Sequence, residues 1–194
     1  MLKHPNTTLA VLAGGKARRM QGANKALLKH NGVTFVEQII ESLSAQFGET
    51  IIISNDNEIS KIMPCPIYKD IIRDKGPLGG IHSALTNALN PAVFIVSCDM
   101  PFVNTKVLDR INEQASIIDF EAVVPIYKDR TEPLFAFYSV STINRLMHIL
   151  NGNRLSVKAF LEKINTKHVK LPATDEYGRY LTNINTIKDY NQFL

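Results

Sequence analysis

The chain has 194 residues, 45% of them hydrophobic and 21% charged, with 22 basic against 18 acidic side chains and a formal net charge of +4. That composition suits one globular domain with a sizeable core. No apolar run approaches the roughly 18 residues of a membrane span. The opening stretch MLKHPNTTLAVLAGG lacks a secretory leader layout, so a cytoplasmic protein is expected. Two distant cysteines, Cys65 and Cys98, argue against a zinc site or disulfide framework.

In chain order, residues 8–13 read as a strand, whose apolar run over 9–13 leads into two glycines. Residues 34–47 carry helical spacing, with Val36, Ile39, Ile40 and Leu43 on one face. The β-branched run 50–54 is a second strand, and PIYKD is a short third one ending in Asp70. GPLGGIHSALTNALN opens on turn residues and then spaces Ile81, Leu85 and Leu89 as a helix. AVFIVSCDMP is a continuous apolar run, as in a strand buried on both faces of a parallel sheet, and Cys98 within it reads as a buried structural thiol. A helix is expected over 105–115. Two strands, EAVVPIY and PLFAFYS, flank a loop over 128–132. Helices at 142–150 and 156–164, a strand KHVKL and a helix at 186–193 complete the pattern. Strand–helix alternation predicts an α/β sheet, parallel in its first half.

Charge is uneven along this pattern. Five of the 22 cations (Lys16, Arg18, Arg19, Lys25 and Lys29) and none of the 18 acids fall in residues 12–36, which leaves 17 against 18 elsewhere. A local excess points to one anion site rather than a nucleic-acid-binding face, and no aromatics interleave the basic stretch as an RNA-binding surface would require. In open α/β sheets ligands bind at the carboxyl ends of strands. Gly14 and Gly15 stand at such an end, where glycine lets backbone N–H groups approach a ligand. With the cations this reads as a polyphosphate cradle; the bland alternative is a flexible basic surface loop. Neither the GK[ST] of a Walker loop nor GxGxxG spacing is present.

The next strand ends carry Asn55, Asp70 and Asp99. Asp99 suits Mg²⁺, which takes one or two carboxylates plus substrate phosphates; a turn or helix cap is the alternative. Asp70 suits a ribose hydroxyl, a metal or a turn backbone, and Asn55 a base edge or an Asx-turn.

LAGGKARRMQGANKALL, DKGPLGGI, VSCDMPF, EPLFAFY and LTNINT, in this order and across nearly the whole chain, resemble the bacterial molybdenum cofactor guanylyltransferases. The resemblance implies a single nucleotidyltransferase domain over 1–194, Rossmann-like and of glycosyltransferase-A type. Its central sheet would be mixed and mainly parallel, with helices on both faces. The N-terminal half would bind GTP and the C-terminal half would serve mainly the pterin. The implied reaction turns GTP and molybdopterin cofactor into the guanine dinucleotide form and pyrophosphate, with Mg²⁺. Leu12, Ala13, Gly14 and Gly15 match the nucleotide loop, Lys25 the phosphate lysine, Asp70 a nucleotide contact and Asp99 the metal ligand. The asparagine after the second strand falls at Ser54 or Asn55, taken here as Asn55. Asn183 and Asn185 match the pair on the pterin side. The family usually carries Asp before the loop lysine, where this chain has Asn24.

Nucleotidyl transfer needs positioning and charge neutralisation. Lys25, helped by Arg19, would stabilise the leaving pyrophosphate, and no general base is required. Most of the five histidines therefore read as surface or helix residues without a catalytic duty. Arg154 and Lys158 would meet the pterin phosphate or merely start a solvated helix. Transient contact with molybdenum-insertion and molybdoenzyme-maturation proteins is also implied, with no nucleic-acid or membrane partner. The rival readings are a cytidylyl- or sugar-phosphate nucleotidyltransferase on the same fold and a non-catalytic nucleotide-binding adaptor.

Overall fold

A computed structural model describes residues 2–14, 24–152 and 155–192. In chain order the strands and helices are β1 (His4–Leu12), β2 (Lys29–His30), β3 (Val33–Thr34), α1 (Phe35–Leu43), β4 (Phe47–Ile53), β5 (Ile67–Tyr68) and α2 (Pro77–Asn87). There follow β6 (Ala92–Ser97), α3 (Thr105–Asn112), β7 (Ala122–Tyr127), β8 (Arg130–Thr131), β9 (Phe135–Ser139) and α4 (Ile143–Asn151). The remaining elements are α5 (Val157–Leu161), β10 (Thr166–Lys170), α6 (Asp175–Tyr180) and α7 (Ile187–Asn191).

Among the described residues one eight-stranded sheet runs β10-β7-β9-β6-β1-β4-β5, with β8 paired to β7. β1 lies parallel to β4 on one side and to β6 on the other, and β5 extends the parallel set. β9 runs antiparallel between β6 and β7, while β10 is parallel to β7. The sheet is therefore mixed and mainly parallel, as expected.

Period-two alternation divides the core into two layers. Leu9 and Val11 of β1, with Phe94 and Val96 of β6, face Val36, Ile39 and Leu43 of α1 and Val107, Leu108 and Ile111 of α3. Ala10 and Leu12, with Val93 and Ile95, face Leu78, Ile81 and Leu85 of α2 and Leu146 and Leu150 of α4. Helices thus cover both faces. β6 is buried along nearly its whole length, although only its β1 side is parallel. Phe94 is fully buried and anchors one layer, its ring 4.6 Å from Phe137, 4.8 Å from Phe135 and 5.4 Å from Phe47.

Several boundaries differ from the sequence expectation. α1 stops at Leu43, and Phe47 opens β4 instead of closing a helix, because its ring stacks into the Phe94 cluster. β1 begins four residues earlier than residue 8, at His4; the exposed Pro5 and Asn6 interrupt the pattern and hide that start. α3 ends at Asn112 rather than 115. The loop at 128–132 holds the short β8. The β2–β3 hairpin turns on Asn31 and Gly32, at φ +53° and +84°. Asn-Gly favours such a turn, but the flanking strands are too short to show a pattern.

Phe94→Ala is expected to cost about 3–5 kcal/mol of folding stability, the usual range for a buried phenylalanine. Urea unfolding followed by circular dichroism measures it, and a loss below about 1 kcal/mol would show that the aromatic cluster does not anchor the sheet.

Candidate functional site

Main-chain bonds align the carboxyl ends of the three central strands. Ala13 N donates to Ile53 O at 2.9 Å, and Cys98 N donates to Leu12 O at 3.0 Å. Past these bonds the chain leaves each strand at one edge of the sheet. There a cavity of about 1490 Å³ opens, lined by residues that include Leu12, Ala13, Gly14, Asn55, Asp70 and Asp99. That volume is above the roughly 300–1,000 Å³ usual for a small-molecule pocket.

Asn55 and Asp70 hold each other across the ends of β4 and β5. Asn55 Nδ2 donates to Asp70 Oδ2 at 2.8 Å, and Asp70 N donates to Asn55 Oδ1 at 3.2 Å. This is a reciprocal pair between two strand ends rather than a local Asx-turn. Ser54, the alternative to Asn55, is buried, and its Oγ donates to Ala13 O at 3.2 Å. Ser54 therefore ties two strand ends together, while Asn55 reaches the cavity. The Ala13 amide donates to Ile53 O, the Leu12 carbonyl accepts from Cys98 N and the Ala13 carbonyl accepts from Ser54 Oγ, so the main chain at the end of β1 is tied to both neighbouring strand ends.

Asp99 follows β6 in a turn closed by Met100 N donating to Ser97 O at 3.1 Å. It does not cap the next helix; Asn104 does so, with Oδ1 accepting from Lys106 N at 3.0 Å. The Asp99 carboxylate pairs with Lys25 Nζ at 3.3 Å, and Lys25 Nζ donates to Asn185 Oδ1 at 2.8 Å. The Asp99 main-chain oxygen accepts from Ile184 N at 2.8 Å. Lys25, Asp99 and Asn185 are thus gathered at one point from three distant stretches of chain. Thr186, the next residue, caps α7 in a capping box with Asp189.

Gly76 starts α2 at φ +57° and ψ −145°, a backbone conformation open to glycine, and Pro77 follows at the first helical turn. A Cβ on Gly79 would stand 2.7 Å from Ile72 O, so glycine there lets the preceding loop pack against the helix. Both features bring the α2 entry to the cavity wall, where Gly76, Pro77 and Gly80 lie.

The Cys98 thiol is pushed up to about 12, by burial first and by the adjacent Asp99 charge second, which makes it an inert neutral packing group. The Glu132 carboxyl is raised above the usual range chiefly by burial, against the opposing Arg130, and also by the negative field of Asp99. Glu132 was not singled out in the sequence, nor were the cavity-lining cations Lys69 and Arg73. Each lies on a loop, where no periodicity marks a side chain as facing a site.

Gly15, Arg19 and Arg154 lie outside the described residues, as do Lys16 and Arg18. Asn183 stands two residues ahead of Asn185 on the segment that reaches Asp99. Among the described residues no cluster of three or more His, Cys, Asp or Glu side chains could hold a metal. Asp99 therefore offers one hard carboxylate, here paired with the Lys25 ammonium. Such a donor suits a divalent cation whose shell is completed by phosphate oxygens and water.

A family model described as MobA-like NTP transferase domain matches residues 9–169. A probable molybdenum cofactor guanylyltransferase of Clostridium perfringens is 37% identical over 199 residues, covering 95% of this chain and 94% of the relative. A molybdenum cofactor guanylyltransferase of Vibrio parahaemolyticus is 30% identical over 194 residues, covering 100% of this chain and 97% of the relative. The crystal structure of molybdopterin-guanine dinucleotide biosynthesis protein A from Archaeoglobus fulgidus superposes with a TM-score of 0.80 at 26% identity, covering 95% of both chains.

Lys25→Ala is expected to weaken GTP binding by about tenfold, the worth of one charge-assisted contact of ~1.4 kcal/mol. Lys29→Ala, an exposed neighbour on the hairpin, serves as the comparison and should change binding less than twofold. Calorimetric titration of GTP distinguishes the two, and equal small effects would remove the phosphate role from Lys25.

Proposed function

The chain belongs to the MobA-like NTP transferase family, and from that premise we propose that it transfers the GMP unit of GTP to the terminal phosphate of the molybdenum-molybdopterin cofactor, with release of pyrophosphate. The observation that carries this reading is the pairing of Lys25 with Asp99, a carboxylate that lines the cavity at the carboxyl ends of the parallel strands.

A terminal phosphate oxygen of the pterin substrate attacks the α-phosphorus of GTP, and the bond from that phosphorus to the bridging oxygen of the β-phosphate breaks. The attacking phosphate is ionised near neutral pH, so no side chain need remove a proton. Lys25 meets the negative charge that gathers on the departing pyrophosphate, and Arg19 assists it. The nucleotide lies along Leu12, Ala13, Gly14 and Gly15, with Asn55 and Asp70 toward the nucleoside. Nucleotidyltransferases of this kind use a divalent metal. We assign Mg²⁺, held by Asp99, which when bound neutralises phosphate charge. Asn183, Asn185 and Arg154 belong to the pterin side, and Asn185 also reaches the lysine. Among the described residues no helix is long and apolar enough to cross a membrane. A cytoplasmic location is part of the same proposal. Transient contact with molybdenum-insertion and molybdoenzyme-maturation proteins belongs to it as well.

Asp99→Asn keeps shape but removes the charge a metal needs. It should retain the native melting temperature and lose transfer activity by on the order of a hundredfold; full activity in the folded variant would move the metal elsewhere.

Triphosphates are identical among nucleotides, so selectivity rests on the base edge. Guanine presents N1–H and N2 donors beside its O6 acceptor, and the groups proposed to meet them are the backbone around Leu12 and Ala13, Asn55 and the segment 76–79, where a carbonyl oxygen that already holds one hydrogen bond has a second lone pair to offer. Each buried partner left unpaired by a wrong base costs about 1–3 kcal/mol. Turnover with GTP should therefore exceed that with CTP or ATP by on the order of a hundredfold. Pyrophosphate release assayed with each nucleotide reads this ratio, and comparable CTP turnover would redirect the assignment to a cytidylyl transferase.

A further inference from the structure

Lys25 sits on a single 3-10 turn, Lys25–Leu27. A turn so short has little intrinsic rigidity, so what fixes it decides where the ammonium stands. Asn24 is its N-cap: Asn24 Oδ1 accepts from Ala26 N at 3.0 Å. The other end of the same amide, Asn24 Nδ2, donates to Asp56 Oδ2 at 2.7 Å.

Asp56 is itself anchored on both sides. Its Oδ1 accepts from Glu58 N at 2.9 Å, and its own amide donates to Ser54 Oγ at 3.1 Å. Ser54 Oγ in turn donates to Ala13 O. The Asp56 carboxyl is held below the usual range, mainly by the Asn24 bond and then by the Glu58 amide. Both carboxylate oxygens thus accept bonds within the protein, although Asp56 lines the cavity wall. A carboxylate engaged in this way serves as a strut from the strand end to the turn.

We propose that the Asn24–Asp56 pair is a positioning device for Lys25, transmitting the fixed end of β4 to the lysine turn. The proposal rests on the reading of Lys25 as the phosphate-binding lysine. The bonding pattern constrains both residues together. As they stand, position 24 accepts from Ala26 N and offers a donor to position 56, and position 56 accepts from both Asn24 and Glu58. Aspartate at position 24 keeps the cap but faces a second carboxylate at hydrogen-bond distance. Exchanging the two side chains restores every bond. The amide now at position 56 donates to the carboxylate now at position 24, and its oxygen accepts from Glu58 N. The charge moves across one hydrogen bond and the geometry is kept.

The test reads inorganic pyrophosphate affinity by calorimetry, independently of transfer activity, in the full chain. Lys25→Ala and Asn24→Asp should each weaken binding about tenfold, and the exchange Asn24→Asp with Asp56→Asn should return to within threefold of the native value. On the Lys25→Ala background Asn24→Asp should add less than twofold, because the pair acts through the lysine. Native affinity in Lys25→Ala would overturn the phosphate reading, and the proposal with it. A weakened Lys25→Ala beside an unchanged Asn24→Asp would overturn the proposal alone, as would full additivity of the two or an exchange variant no better than a Lys25→Ala protein. If Asn24→Asp fails to fold, the exchange variant still decides between these outcomes.

Discussion

Two main-chain bonds, Ala13 N to Ile53 O and Cys98 N to Leu12 O, set the height of everything around the cavity. They hold β1 between β4 and β6, so that three chains leave the sheet together. Each backbone bond is worth only about 1 kcal/mol net. Their importance is geometric: a slip of one residue in β1 would turn its alternate side chains into the wrong layer and carry Gly14 out of line with Asp70 and Asp99. The buried aliphatic faces of β1 and β6 oppose such a slip, because both layers are filled from the same two strands.

Residues scattered through the sequence converge for that reason. Gly14, Asn55, Asp70 and Asp99 each follow a strand of the parallel set, and a parallel sheet delivers all its carboxyl ends to one edge. Asn55 and Asp70 then fix each other, so neither side chain is free to collapse onto its own backbone. Lys25 enters from a different direction, on a turn capped by Asn24, and meets Asp99 there.

This part of the architecture was legible because apolar strands announce themselves by burial and their ends by the first polar residue. The asparagine in place of aspartate at position 24 was also visible, but its partner was not. Asp56 stands in the polar stretch SNDNE, where several oxygens could each form a local turn, and only the fold shows that it reaches Asn24 across 32 residues. The start of β1 was hidden for a related reason: His4, Pro5 and Asn6 show no hydrophobic pattern, and the pairing of His4 with Phe47 and of Thr7 with Ala92 makes the segment strand. The β2–β3 hairpin was missed because two-residue strands are too short to establish a period, although Asn31-Gly32 marks the turn. α6 carries Gly178 in its middle and no fully buried side chain, so it too lacks the periodic signal of α1 or α3.

The bond from Lys25 to Asn185 spans 160 residues of chain. During synthesis the sheet can assemble β1, β4, β5 and β6 well before residue 185 leaves the ribosome, since all four strands lie in the first half of the chain. A nascent chain at that stage would possess a nearly complete cavity wall yet lack one of the two groups that hold the lysine. Competence would therefore arrive late in translation, as a separate event from the formation of the sheet.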